Sequence, residues 1–266
     1  MKHLIIGSGG MMIYMFIGAI HNLLQLGMLD DVQEISCASC GSLIGFFFVL
    51  LFGDMEKITQ IAFNQDMKQF AKPDIKTFLK RFGFMDTSVI EKDIIKSAGC
   101  DPTFRELYEM NPIKLHISAY ELLTGRTIYM SVDTTPDMKV TRAIRMSISL
   151  PILFTPCREN GQLFIDGSTI EPSPYVPFLG KNDVIELRWR KNPTEHRMPK
   201  SALEFIKVFI ASFFESFRIG HQYIDYPRID LVSNDDSVAY DWLMTNDIKT
   251  KLFEEGYEQV LKYYAT

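Results

Sequence analysis

Cys37-Ala38-Ser39-Cys40-Gly41 stands between a short apolar run and the long one Leu43-Ile44-Gly45-Phe46-Phe47-Phe48-Val49-Leu50-Leu51-Phe52. An apolar run, then a serine among small residues, then a buried-type helix is how a sharp strand-to-helix turn reads. Such a turn lifts the serine hydroxyl clear of the backbone, and small neighbours are needed because the chain crowds itself there. Gly41 supplies the second glycine of the pattern G-x-S-x-G, while Cys37 holds the place of the first.

Two segments further out raise the value of this turn. Upstream, Leu4-Ile5-Ile6 runs into Gly7-Ser8-Gly9-Gly10, and a helical pattern follows from Ile13 to Leu26. Glycines between a strand and a helix leave backbone N–H groups unobstructed, a natural pocket for an anion or a developing oxyanion. Downstream, Leu163-Phe164-Ile165-Asp166-Gly167-Ser168 places an acid at the end of a short strand, followed by a turn.

The three segments together resemble the patatin-like phospholipases, lipid acyl hydrolases that work with a Ser-Asp dyad. The resemblance covers nearly the whole chain. Ala143-Ile144-Arg145-Met146-Ser147-Ile148-Ser149-Leu150-Pro151-Ile152-Leu153-Phe154-Thr155-Pro156 is similar to the family segment A-x-R-A-S-x-S-x-P-x-x-F-x-P, and Gly161 and Asp166-Gly167 follow at the expected interval. Thr103-Phe104-Arg105-Glu106-Leu107 and Leu252-Phe253-Glu254-Glu255-Gly256-Tyr257 also look like family features.

What the resemblance implies is an α/β fold, a three-layer α/β/α domain spanning residues 1–266 around a central, mostly parallel sheet. It implies Ser39 as nucleophile and Asp166 as its base, with no histidine, metal or organic cofactor. The backbone N–H groups around Gly9, Gly10 and Met11 would form the oxyanion hole, and Cys37, Gly41, Gly167 and Ser168 would complete the motifs. A carboxylate near pKa ~3.9 is a weak base towards serine, so the pair requires a dry, close and oriented arrangement. Removing one oxyanion donor costs an enzyme ~2.7–4 kcal/mol in the barrier, which ranks the glycine loop beside the dyad.

The departures from the family lie in these same motifs. Its loop reads G-G-G-x-[KR]-G, against Ser8-Gly9-Gly10-Met11-Met12-Ile13 here, so the basic residue and the last glycine are replaced. Ile13 either strains that position or simply begins the helix. Ser168 takes the third place of D-G-G, and Pro172 stands where the family often has Asn. These changes keep a second reading in view: a catalytically silent relative that binds lipid or a protein partner. Retention of both Ser39 and Asp166 favours the enzyme.

Bulk properties agree with one large α/β domain. The chain has 266 residues, 47% hydrophobic and 23% charged, with a net charge of −5. No Lys/Arg cluster points to nucleic acid. Four cysteines, Cys37, Cys40, Cys100 and Cys157, do not form a disulfide framework, and Cys37-x-x-Cys40 has no second pair or nearby histidine to complete a metal set. A reducing compartment is expected. The run Leu43–Phe52 is about half the ~20 residues of a membrane span, and Gly7–Gly10 interrupt the apolar N-terminus too early for a signal peptide. The expectation is a cytoplasmic protein, with transient contact at a membrane surface where its phospholipid substrate lies and room for a protein activator.

Along the chain, strand 3–6, helix 13–26, strand 33–37 and helix 41–52 alternate with short connections, which argues a right-handed, mostly parallel sheet. A charged helical region from Met55 to Lys96, broken at Pro73 and Gly83, reads as a cap or outer layer. Strands return at Leu115–Tyr120 and Thr127–Ser131 around the turn Leu123–Arg126. A helix is expected over Val140–Ser147, with later strands at Phe164–Ile165, Val184–Leu187 and Arg228–Val232. Ser201 and Glu204 form a capping box for a helix running to Ile219, with Gly220 as its stop. Its apolar residues Leu203, Phe205, Ile206, Val208, Phe209, Ile210, Phe213, Phe214 and Phe217 cover more than half the helix, which reads as burial, the alternative being aromatics that dip into a lipid interface.

Local alternatives exist for each site residue. Ser39 could merely cap a helix, Asp166-Gly167 is a common turn, and Gly9 and Gly10 lack a full dinucleotide fingerprint. An α/β-hydrolase triad could formally use Ser39, Asp166 and His196 or His221, but that fold builds several strands before its nucleophile and Ser39 follows two. His21 on the first helix and His116 in a strand read as packed or surface residues.

Overall fold

A computed structural model describes residues 1–70, 73–192, 198–202, 204–206, 208–209, 212 and 226–265. In chain order its strands are β1 (His3–Ile6), β2 (Glu34–Ala38), β3 (Gly83–Met85), β4 (Lys114–Glu121), β5 (Arg126–Met130), β6 (Ile152–Phe154), β7 (Cys157–Glu159), β8 (Gln162–Asp166), β9 (Val184–Arg190) and β10 (Arg228–Val232). The helices are α1 (Ile13–Gln25), α2 (Cys40–Leu50), α3 (Met55–Asn64), α4 (Ile75–Arg81), α5 (Thr87–Ala98), α6 (Phe104–Met110), α7 (Val140–Ser147) and α8 (Asn246–Ala265).

Among the described residues the main sheet has eight strands in the order β10-β9-β1-β2-β4-β8-β7, with β5 also paired to β4. From β10 to β4 every pairing is parallel. Beyond β4 the sheet turns antiparallel through β5, β8 and β7. The sheet is thus mostly parallel, as expected, and Asp166 lies on its antiparallel side. β1 is buried throughout and β2 nearly so, as befits parallel strands covered on both faces.

Helix α1 crosses α8 at very short range. A Cβ at Gly18 would lie 2.0 Å from Phe253 O, and one at Gly256 would lie 2.0 Å from Met15 O. This pair of glycines explains why the tail carries Gly256. In α6, Thr103 and Glu106 cap the helix reciprocally, which accounts for the Thr103–Leu107 signature.

The region 55–96 differs from the all-helical reading. Gly83 opens a strand, β3, which pairs in parallel with β6 as a separate two-stranded sheet. Strands β3, β6 and β7, three residues each, are too short to show a period of two. The helix entered at Ser201 begins as expected, Ser201 Oγ accepting from Glu204 N at 3.1 Å, whereas the Glu204 carboxylate accepts from Lys200 N at 2.5 Å rather than from the cap itself. Burial of its apolar face is corrected for the described residues: Phe205, Val208 and Phe209 are 59, 42 and 55% exposed, and Ile206 rests partly on the core. Periodicity reveals an apolar face but not whether a second layer covers it. Leu203, Ile210, Phe213, Phe214, Phe217, Ile219, Gly220, His196 and His221 lie outside the described residues. Among those described, no helix is long and apolar enough to cross a membrane.

Candidate active site

Ser39 follows the last residue of β2 and precedes the first of α2, at φ 52° and ψ −128°. A non-glycine residue in that region is strained, and the strain is held by bonds on both sides. Ser39 N donates to Ser147 Oγ at 2.9 Å, and Ser39 O accepts from Ser42 N at 3.0 Å and Ser42 Oγ at 2.6 Å. The turn is tight enough that a Cβ at Gly41 would lie 2.4 Å from Ile6 O. Gly41 is thus the glycine this turn cannot lose. Cys37 can replace the other because α2 makes room for it: a Cβ at Gly45 would lie 2.5 Å from Cys37 Sγ. Both Cys37 and Cys40 are buried free thiols, and burial pushes the Cys40 thiol up to about 12, so both are neutral packing groups.

Asp166 ends β8, 1% exposed, with its N–H donating to Ser149 O at 3.0 Å. Ser39 Oγ donates to Asp166 Oδ2 at 2.6 Å. The other oxygen, Oδ1, accepts from Ser168 N at 2.8 Å and Ser168 Oγ at 2.6 Å. Gly167 and Ser168 form a buried turn that brings these donors round. Burial raises the Asp166 carboxyl to about 6, with the hydrogen bonds from Ser168 and Ser39 opposing it. A carboxylate whose burial outweighs its hydrogen bonds is a stronger base than an exposed one.

The glycine loop closes the third side. Gly9, Gly10 and Met11 line the same cavity as Ser39 and its neighbour Cys40. Gly10 takes φ 56°, and Met12 N bonds back to Gly9 O at 3.0 Å. Ile13 adopts φ −45° and ψ −35° and opens α1, so the missing family glycine leaves no strain there. With Ser39 at the N-terminus of α2, that helix's positive end adds to the donors' field.

A cavity with about 940 Å³ of free space, its opening included, joins Ser39, Asp166, Ser168, Gly9, Gly10 and Met11. Leu43, Met67, Ile90, Ile148, Leu150 and Phe154 give it an apolar wall, and Trp189, Lys191, Tyr240 and Trp242 line it too. Met11, Cys40 and Leu43 also border a second chamber of about 760 Å³, opening included, among α1, α2, α3 and α5. Its walls are Ile13, Tyr14, Ile17, Phe47, Ile58, Ile61, Ala62 and Ile94, with Gln65, Asp93 and Ser97 as polar members.

Ser39, Asp166, Ser168, Gly9, Gly10 and Met11 therefore line one cavity, while Cys37, Gly41 and Gly167 belong to the turns and strand beside it and are not among its lining residues. Sequence reasoning missed Ser147, although the A-x-R-A-S-x-S segment contains it, and it missed the bond from the Ser168 hydroxyl. The wall residues Met67, Trp189, Lys191, Tyr240 and Trp242 carried no signal, since they arrive from separate loops and a strand. His116 bonds Glu34 at 2.9 Å and His21 packs edge-on against Phe253; neither lines either cavity.

Comparison with known proteins identifies the family and the fold. The sequence model described as patatin-like phospholipase matches residues 4–179. The "Probable lipid hydrolase 463L" of Invertebrate iridescent virus 6 is 24% identical over 181 residues, which take in 67% of this chain and 56% of that protein. Among solved structures, VipD from Legionella pneumophila superposes with a TM-score of 0.65 at 14% identity, covering 98% of this chain and 66% of its own. The type III effector ExoU of Pseudomonas aeruginosa gives a TM-score of 0.55 at 18% identity, covering 98% and 52% respectively. These two likenesses are to the fold, and the chain spans about half to two thirds of its relatives' length. With the family pattern matched over most of its length, the chain belongs to the patatin-like phospholipases.

Proposed function

We propose that the protein is a serine lipid acyl hydrolase that cleaves fatty acyl esters of phospholipids through an acyl-Ser39 intermediate. The observation that carries this reading is the 2.6 Å bond from Ser39 Oγ to Asp166 Oδ2 on the wall of a mostly apolar cavity. Asp166 takes the Ser39 proton as Oγ attacks the ester carbonyl, and the N–H groups of Gly9, Gly10 and Met11 receive the charge on the carbonyl oxygen. The tetrahedral adduct collapses, the C–O bond to the alcohol breaks, and Asp166 returns the proton to that alcohol. Water then repeats the sequence in reverse roles: Asp166 accepts its proton, the acyl carbon is attacked, and Ser39 leaves protonated with release of the fatty acid.

The chamber behind Met11, Cys40 and Leu43 fits the acyl chain, because its wall is aliphatic and aromatic and it starts beside the glycine loop. In this reading the leaving alcohol occupies the part of the Ser39 cavity lined by Lys191 and Trp242. Lys191 is the one cation among the described residues lining this cavity, and in this reading it would meet the phosphate in place of the basic residue that Met12 replaces.

Fatty acid release from mixed phospholipid vesicles tests the reading, with wild type compared against Ser39→Ala and Asp166→Asn, each checked for folding by circular dichroism. Release by wild type and its loss in both variants is expected, as is fluorophosphonate labelling that disappears in Ser39→Ala. Absence of release and of labelling in folded wild type, even with cell extract supplied as a source of a protein activator, would replace this reading with that of a lipid- or protein-binding relative.

A further inference from the structure

Helix α4 stands outside the core. None of its residues is buried, and Ile75, Leu79 and Phe82 are 57, 72 and 53% exposed. Their spacing puts all three on one side of the helix. Single exposed apolar residues need no explanation, whereas three in a row on one face do. Phe82 closes the helix at φ 67°. This left-handed conformation is costly for an aromatic residue, and glycine or asparagine is the usual choice there. The chain thus accepts strain to hold an exposed ring at this point. Phe78 turns the other way and stacks on Phe84 at 4.6 Å.

Positive charge runs beside the apolar row. Lys76 and Lys80 are exposed and follow Ile75 and Leu79, and the Arg158 guanidinium lies 5.9 Å over the Phe82 ring. Arg81 is paired with Asp86. The nearby carboxylates, Asp74 and Asp86, are engaged in capping α4 and α5. On a chain of net charge −5, this is a local excess of cations. Apolar and cationic rows side by side match the chemistry of an anionic lipid interface.

The helix is also joined to the Ser39 cavity through the small sheet. It leads directly into β3, β3 pairs with β6 so that Met85 faces Phe154, and Phe154 lines the cavity and packs edge-on against Trp242 at 5.7 Å.

We infer that α4 seats the protein on an anionic bilayer, with Leu79 and Phe82 entering the acyl layer and Lys76 and Lys80 meeting lipid phosphates. The inference deepens the proposed lipid hydrolysis, on which it rests for its purpose, but the binding itself does not require Ser39.

Sedimentation of the Ser39→Ala protein with vesicles of phosphatidylcholine, alone or with phosphatidylglycerol added, therefore tests it separately from catalysis. Binding is expected with phosphatidylglycerol and is expected to weaken in high salt. Leu79→Asp is expected to lower it about tenfold or more, since a charge replaces an apolar contact, and Lys76→Glu and Lys80→Glu by at least roughly fivefold each. Phe82→Asn is expected to weaken binding while raising the melting temperature, because it relieves the left-handed strain; a defect in folding would move both downward. In the Ser39 background, Leu79→Asp should leave hydrolysis of a soluble short-chain ester unchanged. Failure of the unsubstituted Ser39→Ala protein to bind anionic vesicles, or equal binding by the Leu79 and lysine variants, overturns the inference. A second copy or another protein covering this face would give that same result. Vesicle binding without ester hydrolysis would instead overturn the catalytic reading and leave this one standing.

Discussion

The Ser168 hydroxyl donates to Asp166 Oδ1 at 2.6 Å and so leaves Oδ2 to face Ser39 Oγ, also at 2.6 Å. The glycine usual at this place in the family could offer only its N–H. Two donors on one oxygen fix the rotation of the carboxylate and favour its ionised form. Burial sets the Asp166 carboxyl to about 6 against this opposition. A base must be ionised, so kcat/KM should rise through pH 6 and level off above it. Ser168→Ala removes a bond to a charged group worth about 1.5–3 kcal/mol, and the acidic limb should move upward by about one pH unit or more. Activity at pH 8 should return to near that of wild type. A pH–rate profile checks this: equal loss at every pH would make Ser168 a packing residue instead.

The same burial has a cost in stability. The native carboxyl at about 6 lies above the unfolded value of ~3.9, so the folded state holds the proton more tightly. Stability from this group is full below pH ~4 and falls as pH rises to about 6, by on the order of 3 kcal/mol. Asp166→Asn keeps an amide oxygen for Ser168 and offers its NH2 to Ser39, without the charge. It should raise the melting temperature at pH 8 by several degrees and by little or nothing at pH 4. Thermal melts at the two pH values check the sign. A variant that is less stable at pH 8 than wild type would show that the carboxylate is better solvated than its surroundings indicate.

The parts of this site that were legible in sequence are those where the backbone dictates the residue type. Gly41 faces Ile6 O, Gly10 takes a positive φ, and Asp166 must sit at a strand end before a turn; each leaves a mark on the local sequence. Helix α7 was equally legible, because Pro151 follows its end and its pattern is regular. Strands β3 and β6 were not, since three residues show no alternation. The cavity wall was hidden for another reason. Trp189, Tyr240 and Trp242 meet Ser39 only in three dimensions, and nothing in their neighbourhoods distinguishes them from core aromatics. The exposure of Phe205, Val208 and Phe209 was misread because an apolar helix face looks the same in sequence whether covered or not.

The chamber beyond Met11 and Leu43 leads to a prediction about chain length. Ala62 lies on its wall in α3, partly buried, and Tyr14 Oη donates to its carbonyl at 3.3 Å, a backbone contact that a larger side chain leaves in place. Ala62→Phe should fill the chamber and lower kcat/KM for long-chain esters by about tenfold or more, in keeping with lost apolar contacts of roughly 1–3 kcal/mol. Short-chain esters, which do not reach so far, should be hydrolysed at the wild-type rate. Rates across a series of chain lengths decide the matter. A uniform loss would place the acyl chain elsewhere.

The cysteine in the elbow gives the last prediction. Cys37 occupies a place where the family has glycine, and the adjacent helix answers with Gly45, whose added Cβ would sit 2.5 Å from Cys37 Sγ and 3.0 Å from Leu115 Cδ1. Each residue is therefore tolerable only because of the other. Gly45→Ala alone should destabilise by about 1–3 kcal/mol through overpacking, despite the better helix propensity of alanine. Cys37→Gly alone removes a buried side chain and should also destabilise, by about 1–2 kcal/mol. Combined, the new methyl takes the space the thiol vacated, and the double variant should be more stable than the sum of the single changes by about 1 kcal/mol or more. Urea unfolding of the four proteins measures that coupling. Strict additivity would mean that α2 shifts to accommodate Cys37, and that Gly45 serves the packing of Leu115 instead.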